Sequence, residues 1–207
     1  MGERHGYTPV YARYNSGRRV VDSGRELAAM LEAFVASYPR PLERLVLVGH
    51  SMGGLVARSA CHHALGDGRA WPALVSDVFC LGSPHLGAPL ERFGVRTKAA
   101  LDAHPITAPF GQLLDGRGAG VKCLADGAVA DCDDVEVPPN ARLHLVAGAL
   151  ADPGGLLAKL FGDGMVPAAS AAGEGRLEGL RATFASTHHG ELLNHPAVYA
   201  YLERHLA

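Results

Sequence analysis

The chain has 207 residues, of which 48% are apolar and 19% charged, with 26 glycines, 13 prolines and a formal net charge of −2. Against a typical domain length of about 150 residues this is one globular domain, or one with an insertion, and collagen-like, coiled-coil and disordered classes are excluded. Lys and Arg cluster no further than pairs such as Arg18-Arg19, so the electrostatic footprint of a nucleic-acid binder is missing and no nucleic-acid partner is expected.

No apolar stretch approaches the roughly 18 residues of a membrane-spanning helix, and the opening MGERHGYTPVYARYN has no apolar core of a secretion signal. A cytoplasmic protein without a stable membrane span is the expectation.

In chain order, Tyr7 to Tyr14 reads as a strand. Ser23 and Glu26 read as an S-x-x-E capping box, opening a helix with Leu27, Met30, Leu31, Phe34, Val35 and Tyr38 at helical spacing and stopped by Pro39 and Pro41. Leu45 to Val48 is a continuous apolar run of strand length, the pattern of a parallel strand covered on both faces. Glycines follow at once, then a helix over Leu55 to His63 with Val56, Ala57 and Ala60 facing the sheet.

Val78 to Leu81 and Leu143 to Val146 read as further strands, and Leu180 to Ala185 as a fifth. A last helix begins at Pro196, with Val198, Tyr201, Leu202 and Leu206 as its inner face. Residues 88 to 140 have scattered glycines and poor periodicity, the mark of a loop-rich cap within the single domain 1–207. The repeated switch between strand and helix periods points to an α/β layered fold.

The cysteines, Cys61, Cys80, Cys123 and Cys132, form no CxxC, which argues against a zinc ribbon or a thioredoxin-type site. Cys80 belongs to an apolar run and reads as core. Cys123 and Cys132 are either a loop disulfide formed in an oxidising compartment or two reduced thiols. The run Cys61-His62-His63 lies on a helix without a matching ligand set, so no metal is expected.

The chemistry concentrates at Gly49-His50-Ser51-Met52-Gly53-Gly54, a G-x-S-x-G pattern between strand and helix. Such a turn exposes a strained serine hydroxyl, with glycines at 49 and 53 expected where side chains would collide. Ser51 is the candidate nucleophile. The Met52 N–H, at the start of the following helix, is the candidate oxyanion donor.

A serine needs a histidine base oriented by a carboxylate, in this architecture in the chain order Ser, acid, His. The acid should follow the Leu143 to Val146 strand. Asp163, between Gly162 and Gly164, is the first candidate and Asp152 the fallback. The base should follow the last strand, where His188 and His189 compete.

These residues carry a resemblance. GHSMGGLVARSA, GSPHLGAP at 82–89, GDGMVP at 162–167 and HHGELLNHPAVYAYL near the end resemble bacterial lipases and esterases of the α/β-hydrolase superfamily, nearest to the group similar to GPI inositol-deacylase esterases. The resemblance implies a three-layer α/β-hydrolase sandwich with a mostly parallel sheet, and a serine esterase or lipase acting on a small-molecule ester, lipids included, without a cofactor.

The family's H-L-D-L-L-like pattern maps onto His189-Gly190-Glu191-Leu192-Leu193, which favours His189. Glycine for an apolar residue and Glu191 for Asp keep His188 in contention. The family's GDG aspartate maps onto Asp163. His50, inside the GHSMGG motif, reads as a pocket-wall residue rather than a base, and His85 resembles a family feature lining the site, with core or loop packing as the alternative.

The family places several strands before the nucleophile strand, and one read from this chain leads to the expectation that the N-terminal strands are lacking. One side of the sheet should then end early, and the HG loop with the second oxyanion donor should be missing, His5-Gly6 having no strand before it. The competing readings are an acyltransferase or thioesterase using the same residues, and a non-catalytic fragment.

Overall fold

A computed structural model describes residues 6–88, 119–130, 135–150 and 162–206. Its centre is a parallel sheet of four strands in the order β1-β2-β3-β4, namely Leu45–His50, Val75–Leu81, Arg142–Ala149 and Leu180–Ala185. In the ladder, His50 stands beside Leu81, Leu81 beside Val146 and Val146 beside Ala182. Because every strand runs the same way, all four C-terminal ends reach one edge of the sheet.

The period of two divides the strand side chains between two cores. Leu45, Leu47, Val78, Cys80, Leu143 and Leu145 pack against helices α1 (Val20–Ser37) and α2 (Met52–Gly66), with Ala28, Ala57, Ala60 and Trp71 filling the layer. The Trp71 indole N–H donates to the Ala28 carbonyl at 3.0 Å. Val46, Phe79, Leu81, Val146 and Phe184 face the other way, onto Val198, Leu202 and Leu206 of the last helix, Pro196–Leu206. Helices thus cover both faces of the sheet. That is why the stretches Leu45 to Val48 and Val78 to Leu81 read as unbroken apolar runs.

Two short helices precede that last one, α3 (Ala119–Asp126) and α4 (Ala168–Ala171), which makes it α5. Helix α3 lies inside the span expected to be a loop-rich cap, of which 89–118 and 131–134 fall outside the described residues. Cys132 is among those, and Cys123 is a free thiol.

Three expectations are corrected. Tyr7 to Tyr14 forms no strand. Pro9 has no donor for a ladder, Val10 and Tyr11 are 61% and 88% exposed, and Tyr7 instead packs on the α5 side with the Arg44 guanidinium 5.6 Å from its ring centre. Helix α1 starts at Val20, so Ser23 does not cap it. Its first turn is held by Arg19, which donates to Asp22 at 2.9 and 3.0 Å, while Ser23 and Gly24 are buried at the crossing with α2. A Cβ on Gly24 would stand 2.1 Å from Ser59 Oγ, so the tight crossing keeps this stretch helical. Finally, α2 starts at Met52 rather than Leu55, directly out of the Ser51 turn. Strand β1 ends the described sheet, with Val48 52% exposed.

At the N-terminal ends of the strands lies a polar cluster inside the apolar core. Asp77, fully buried, accepts from Arg44 Nη2, Arg142 Nε and His144 Nε2, each at 2.8 Å. Because a carboxylate only accepts, His144 carries its proton on Nε2, and its Nδ1 accepts from the Tyr201 hydroxyl at 3.0 Å. Arg142 also donates to the His205 carbonyl at 2.7 Å, tying the end of α5 to the sheet. Burial raises the Asp77 pKa, but the bonds from Arg142, Arg44 and His144 outweigh it and hold the carboxyl well below the usual range.

Candidate active site

The residues singled out from the sequence gather at the opposite, C-terminal edge of the sheet, where parallel α/β sheets bind their ligands. Ser51 links β1 to α2 at φ 52° and ψ −123°, a left-handed conformation shared, among the described non-glycine residues, only with Ser186. Its N–H donates to the Leu81 carbonyl at 2.8 Å, which ties the turn to the end of β2.

A Cβ on Gly49 would lie 2.4 Å from the Gly53 backbone, so no side chain fits there. Gly53 is different from expectation: its nearest neighbour would be the Tyr14 hydroxyl, at 3.8 Å. The tight position is Gly54, where a Cβ would come within 2.1 Å of Ser83 Oγ. Met52 is the first residue of α2 and buried, and its N–H has no acceptor within the helix.

Asp163 follows β3 in a turn between Gly162 at φ 53° and Gly164 at φ 91°. A Cβ on Gly162 would stand 1.9 Å from the Val166 carbonyl oxygen, which makes glycine obligatory there. The buried carboxylate is fixed at both oxygens. Oδ1 accepts from the N–H groups of Met165 (3.0 Å) and Val166 (2.8 Å), and Oδ2 accepts from His189 Nδ1 at 2.7 Å.

His189, 2% exposed, opens a short 3₁₀ helix, His189–Leu193, after β4, and its N–H donates to the Asp163 carbonyl at 3.0 Å. With Nδ1 donating to a carboxylate, the neutral ring presents the lone pair of Nε2. The ring lies over Gly82, where a Cβ would be 3.1 Å from Nδ1 and Cε1.

His188 points elsewhere. Its side chain pairs with Glu191 at 3.3 Å and is 57% exposed, and Glu191 Oε2 accepts from its N–H at 3.0 Å, a capping box for the 3₁₀ turn. Geometry therefore brings His189, and not His188, onto Asp163. Asp152 lies outside the described residues.

His50 and His85 both sit at this edge. The His50 Nε2–H donates to the His189 carbonyl at 2.9 Å, with ring centres 4.6 Å apart. Burial and the neighbouring His189 push its pKa down to about 4, so it is a neutral donor at ordinary pH. His85 is buried against α2, its Nδ1 accepting from Arg58 Nη1 at 3.2 Å, and burial followed by the Arg58 charge pushes it down to about 3.

Three contributors escaped the sequence reading. Besides Gly54 they are Gly148 and Arg58. A Cβ on Gly148 would meet the Thr187 carbonyl oxygen at 2.6 Å and Asp163 Cβ at 2.9 Å, so this glycine lets the acid and base segments close over β3. A glycine inside a strand is itself a signal of close backbone approach. Among the described residues no cluster of three or more His, Cys, Asp or Glu is placed to hold a metal, and no helix is long and apolar enough to cross a membrane.

Residues 16–111 match the family described as the PGAP1-like alpha/beta domain. No curated protein matches the chain. Among solved structures, the mature form of the Bacillus licheniformis lipase BlEst2 is similar at 22% identity, over 92% of this chain and 75% of that one, with a TM-score of 0.63. The type II thioesterase YbtT of the yersiniabactin pathway is similar at 19% identity, over 91% and 74% of the two chains, with a TM-score of 0.52. For the esterase RhEst1 from Rhodococcus sp. ECU1013 the values are 15%, 97%, 75% and 0.50. At such identities the likeness is one of fold. The parallel sheet, the helices on both faces and the turn joining β1 to α2, together with the likeness to that lipase, show an α/β-hydrolase fold.

Proposed function

We propose that the chain is a serine hydrolase of carboxylic esters. The observation that carries this reading is the buried Asp163–His189 bond of 2.7 Å on the same sheet edge as the left-handed Ser51 turn. In this reading Ser51 Oγ attacks the acyl carbon while its proton passes to His189 Nε2, and the Met52 N–H stabilises the charge developing on the carbonyl oxygen. The tetrahedral intermediate collapses, and the leaving alkoxide takes the proton from His189. Water then attacks the acyl-enzyme, gives a proton to the same nitrogen, and releases the carboxylic acid with Ser51 restored. Asp163 stays ionised throughout and holds the imidazole in the required tautomer. No step calls for a cofactor.

The test is labelling with a fluorophosphonate, which requires an activated serine. The expected result is one adduct on Ser51, absent in Ser51→Ala at unchanged circular dichroism, together with turnover of short p-nitrophenyl esters. A chain that takes no label, or a purified Ser51→Ala that still turns over, overturns the reading. The same groups serve thioesters, a chemistry consistent with the similarity of fold to a thioesterase, so acyl-thioesters belong in the same assay. A higher kcat/KM on them than on oxygen esters would move the substrate class.

A further inference from the structure

Loop 82–88, which follows β2, is hydrogen-bonded to several separate parts of the molecule. Its first residue is anchored by Gly82 N–H to the Val146 carbonyl at 2.7 Å, and its last by Ala88 N–H to the Leu124 carbonyl at 3.0 Å. Between these, the Ser170 hydroxyl of α4 accepts from Leu86 N–H at 3.0 Å and donates to the Gly87 carbonyl at 2.6 Å. Ser170 is 4% exposed, and its bond to the Gly87 carbonyl is buried while that from Leu86 is partly so.

Helix α4 begins at Ala168, directly after the turn whose Met165 and Val166 N–H groups hold Asp163 Oδ1. Loop 82–88 begins at Gly82, on which the His189 ring rests. One hydroxyl thus links the segment that holds the carboxylate to the segment that supports the imidazole.

We propose that Ser170 is a positioning residue for the Asp163–His189 pair, locking the acid turn to the loop beneath the imidazole; this rests on the serine-hydrolase reading above. Removal of the hydroxyl leaves Leu86 N–H and the Gly87 carbonyl without their bonds, and the loop is then free to shift by a fraction of an ångström under the ring. A base tolerates such a shift poorly, because proton transfer depends on near-contact geometry.

The experiment uses the 207-residue chain with Ser170→Ala, Ser170→Cys, Ser170→Thr and, as a stability control on the opposite face, Leu202→Ala. Two quantities are read: steady-state kinetics on a p-nitrophenyl ester, and the low-field proton resonance of His189 Nδ1–H in the resting protein, assigned by its loss in His189→Gln. Ser170→Ala is expected to lower kcat by about 10- to 100-fold with KM within about twofold, and to shift or broaden the resonance. Ser170→Cys, which keeps the volume and weakens both bonds, does the same and serves if the alanine variant does not fold. Ser170→Thr restores both readouts. Leu202→Ala lowers the melting temperature and moves neither. If wild type shows no turnover but Ser170→Ala still displaces the resonance, the hydrolase reading fails and the positioning role stands. If Ser170→Ala and Ser170→Cys lose only thermal stability, with kcat within twofold and the resonance unmoved, the proposal is overturned.

Discussion

A non-glycine residue in the left-handed region costs on the order of 1–3 kcal/mol, and it persists only where its surroundings dictate it. At Ser51 the surroundings are Gly49, which lets the end of β1 touch the start of α2, and the N–H bond to Leu81. Gly49→Ala is therefore expected to lower the melting temperature and abolish fluorophosphonate labelling, since its Cβ would have to displace the Gly53 backbone. Gly53→Ala should be tolerated, because the nearest atom is 3.8 Å from the new Cβ and alanine in a helix is favoured over glycine by up to about 1 kcal/mol. A labelling-competent Gly49→Ala would show that the turn does not need the bare backbone. The motif announced both glycines alike, because a pattern records residue types and not the room around each. Spacing alone left His188 and His189 open, and only the resemblance favoured His189, for a related reason. The choice depends on which side chain turns inward to Asp163, and the exposed His188 spends itself on Glu191. His189→Ala should cost on the order of 10⁴-fold or more in kcat, as removal of a triad base does, and His188→Ala less than about tenfold; the opposite ranking would refute the assignment.

At the scale of elements, the strands covered on both faces were legible because burial leaves an uninterrupted apolar signature. Leu180–Ala185, mostly exposed and carrying Arg181 and Thr183, was read to the residue from its alternation instead, and the inner face of α5 proved to be Val198, Leu202 and Leu206, with Tyr201 partly buried beside them. The reading failed where polar residues are buried. Strand β2 starts at Val75, three residues before the expected Val78, because Asp77 interrupts the apolar run while its charge is absorbed by Arg44, Arg142 and His144. Tyr7 to Tyr14 has strand-like residues and no ladder to join, and sequence alternation alone cannot supply a neighbour. Asp77 makes the element-scale prediction. Breaking a buried ion pair from one side costs about 3–5 kcal/mol, but Arg44 and Arg142 keep 33% and 48% of their side chains in solvent, which favours a smaller loss of about 2–3 kcal/mol for Asp77→Asn. A fall in the urea midpoint at unchanged m-value measures it. Because the cluster sits at the N-terminal ends of the strands, kcat per folded molecule should stay within about twofold. An unchanged midpoint would mean that the cluster does not hold α5 to the sheet.

For the molecule as a whole, the parallel sheet separates two polar regions, the candidate site at the C-terminal edge and the Asp77 cluster at the other, and both contain histidines that folding keeps neutral. Burial is the leading cause in each: it pushes His50 to about 4 and His85 to about 3, and it lowers His144 against the opposing pull of Asp77. In the unfolded chain a histidine titrates near 6.5, so between about pH 6.5 and pH 4 the unfolded state binds protons that the folded state refuses, and stability must fall as the pH drops through this window. Asp77 acts lower on the scale. Its depressed carboxyl adds stability that is fully present above the ordinary aspartate value of about 3.9 and is lost only as the pH falls below it, so the decline above pH 4 belongs to the histidines. The melting temperature should be flat from pH 7 to 8 and decline steadily below about pH 6.5. His85→Gln offers Arg58 a carbonyl acceptor without a titrating ring, and should make the decline shallower, whereas His188→Gln, at an exposed site, should leave it unchanged. If His85→Gln melts with the same dependence on pH as wild type, the His85 ring is not held neutral by the fold, and its share of the decline above pH 4 falls to other groups, His50 and His144 among them.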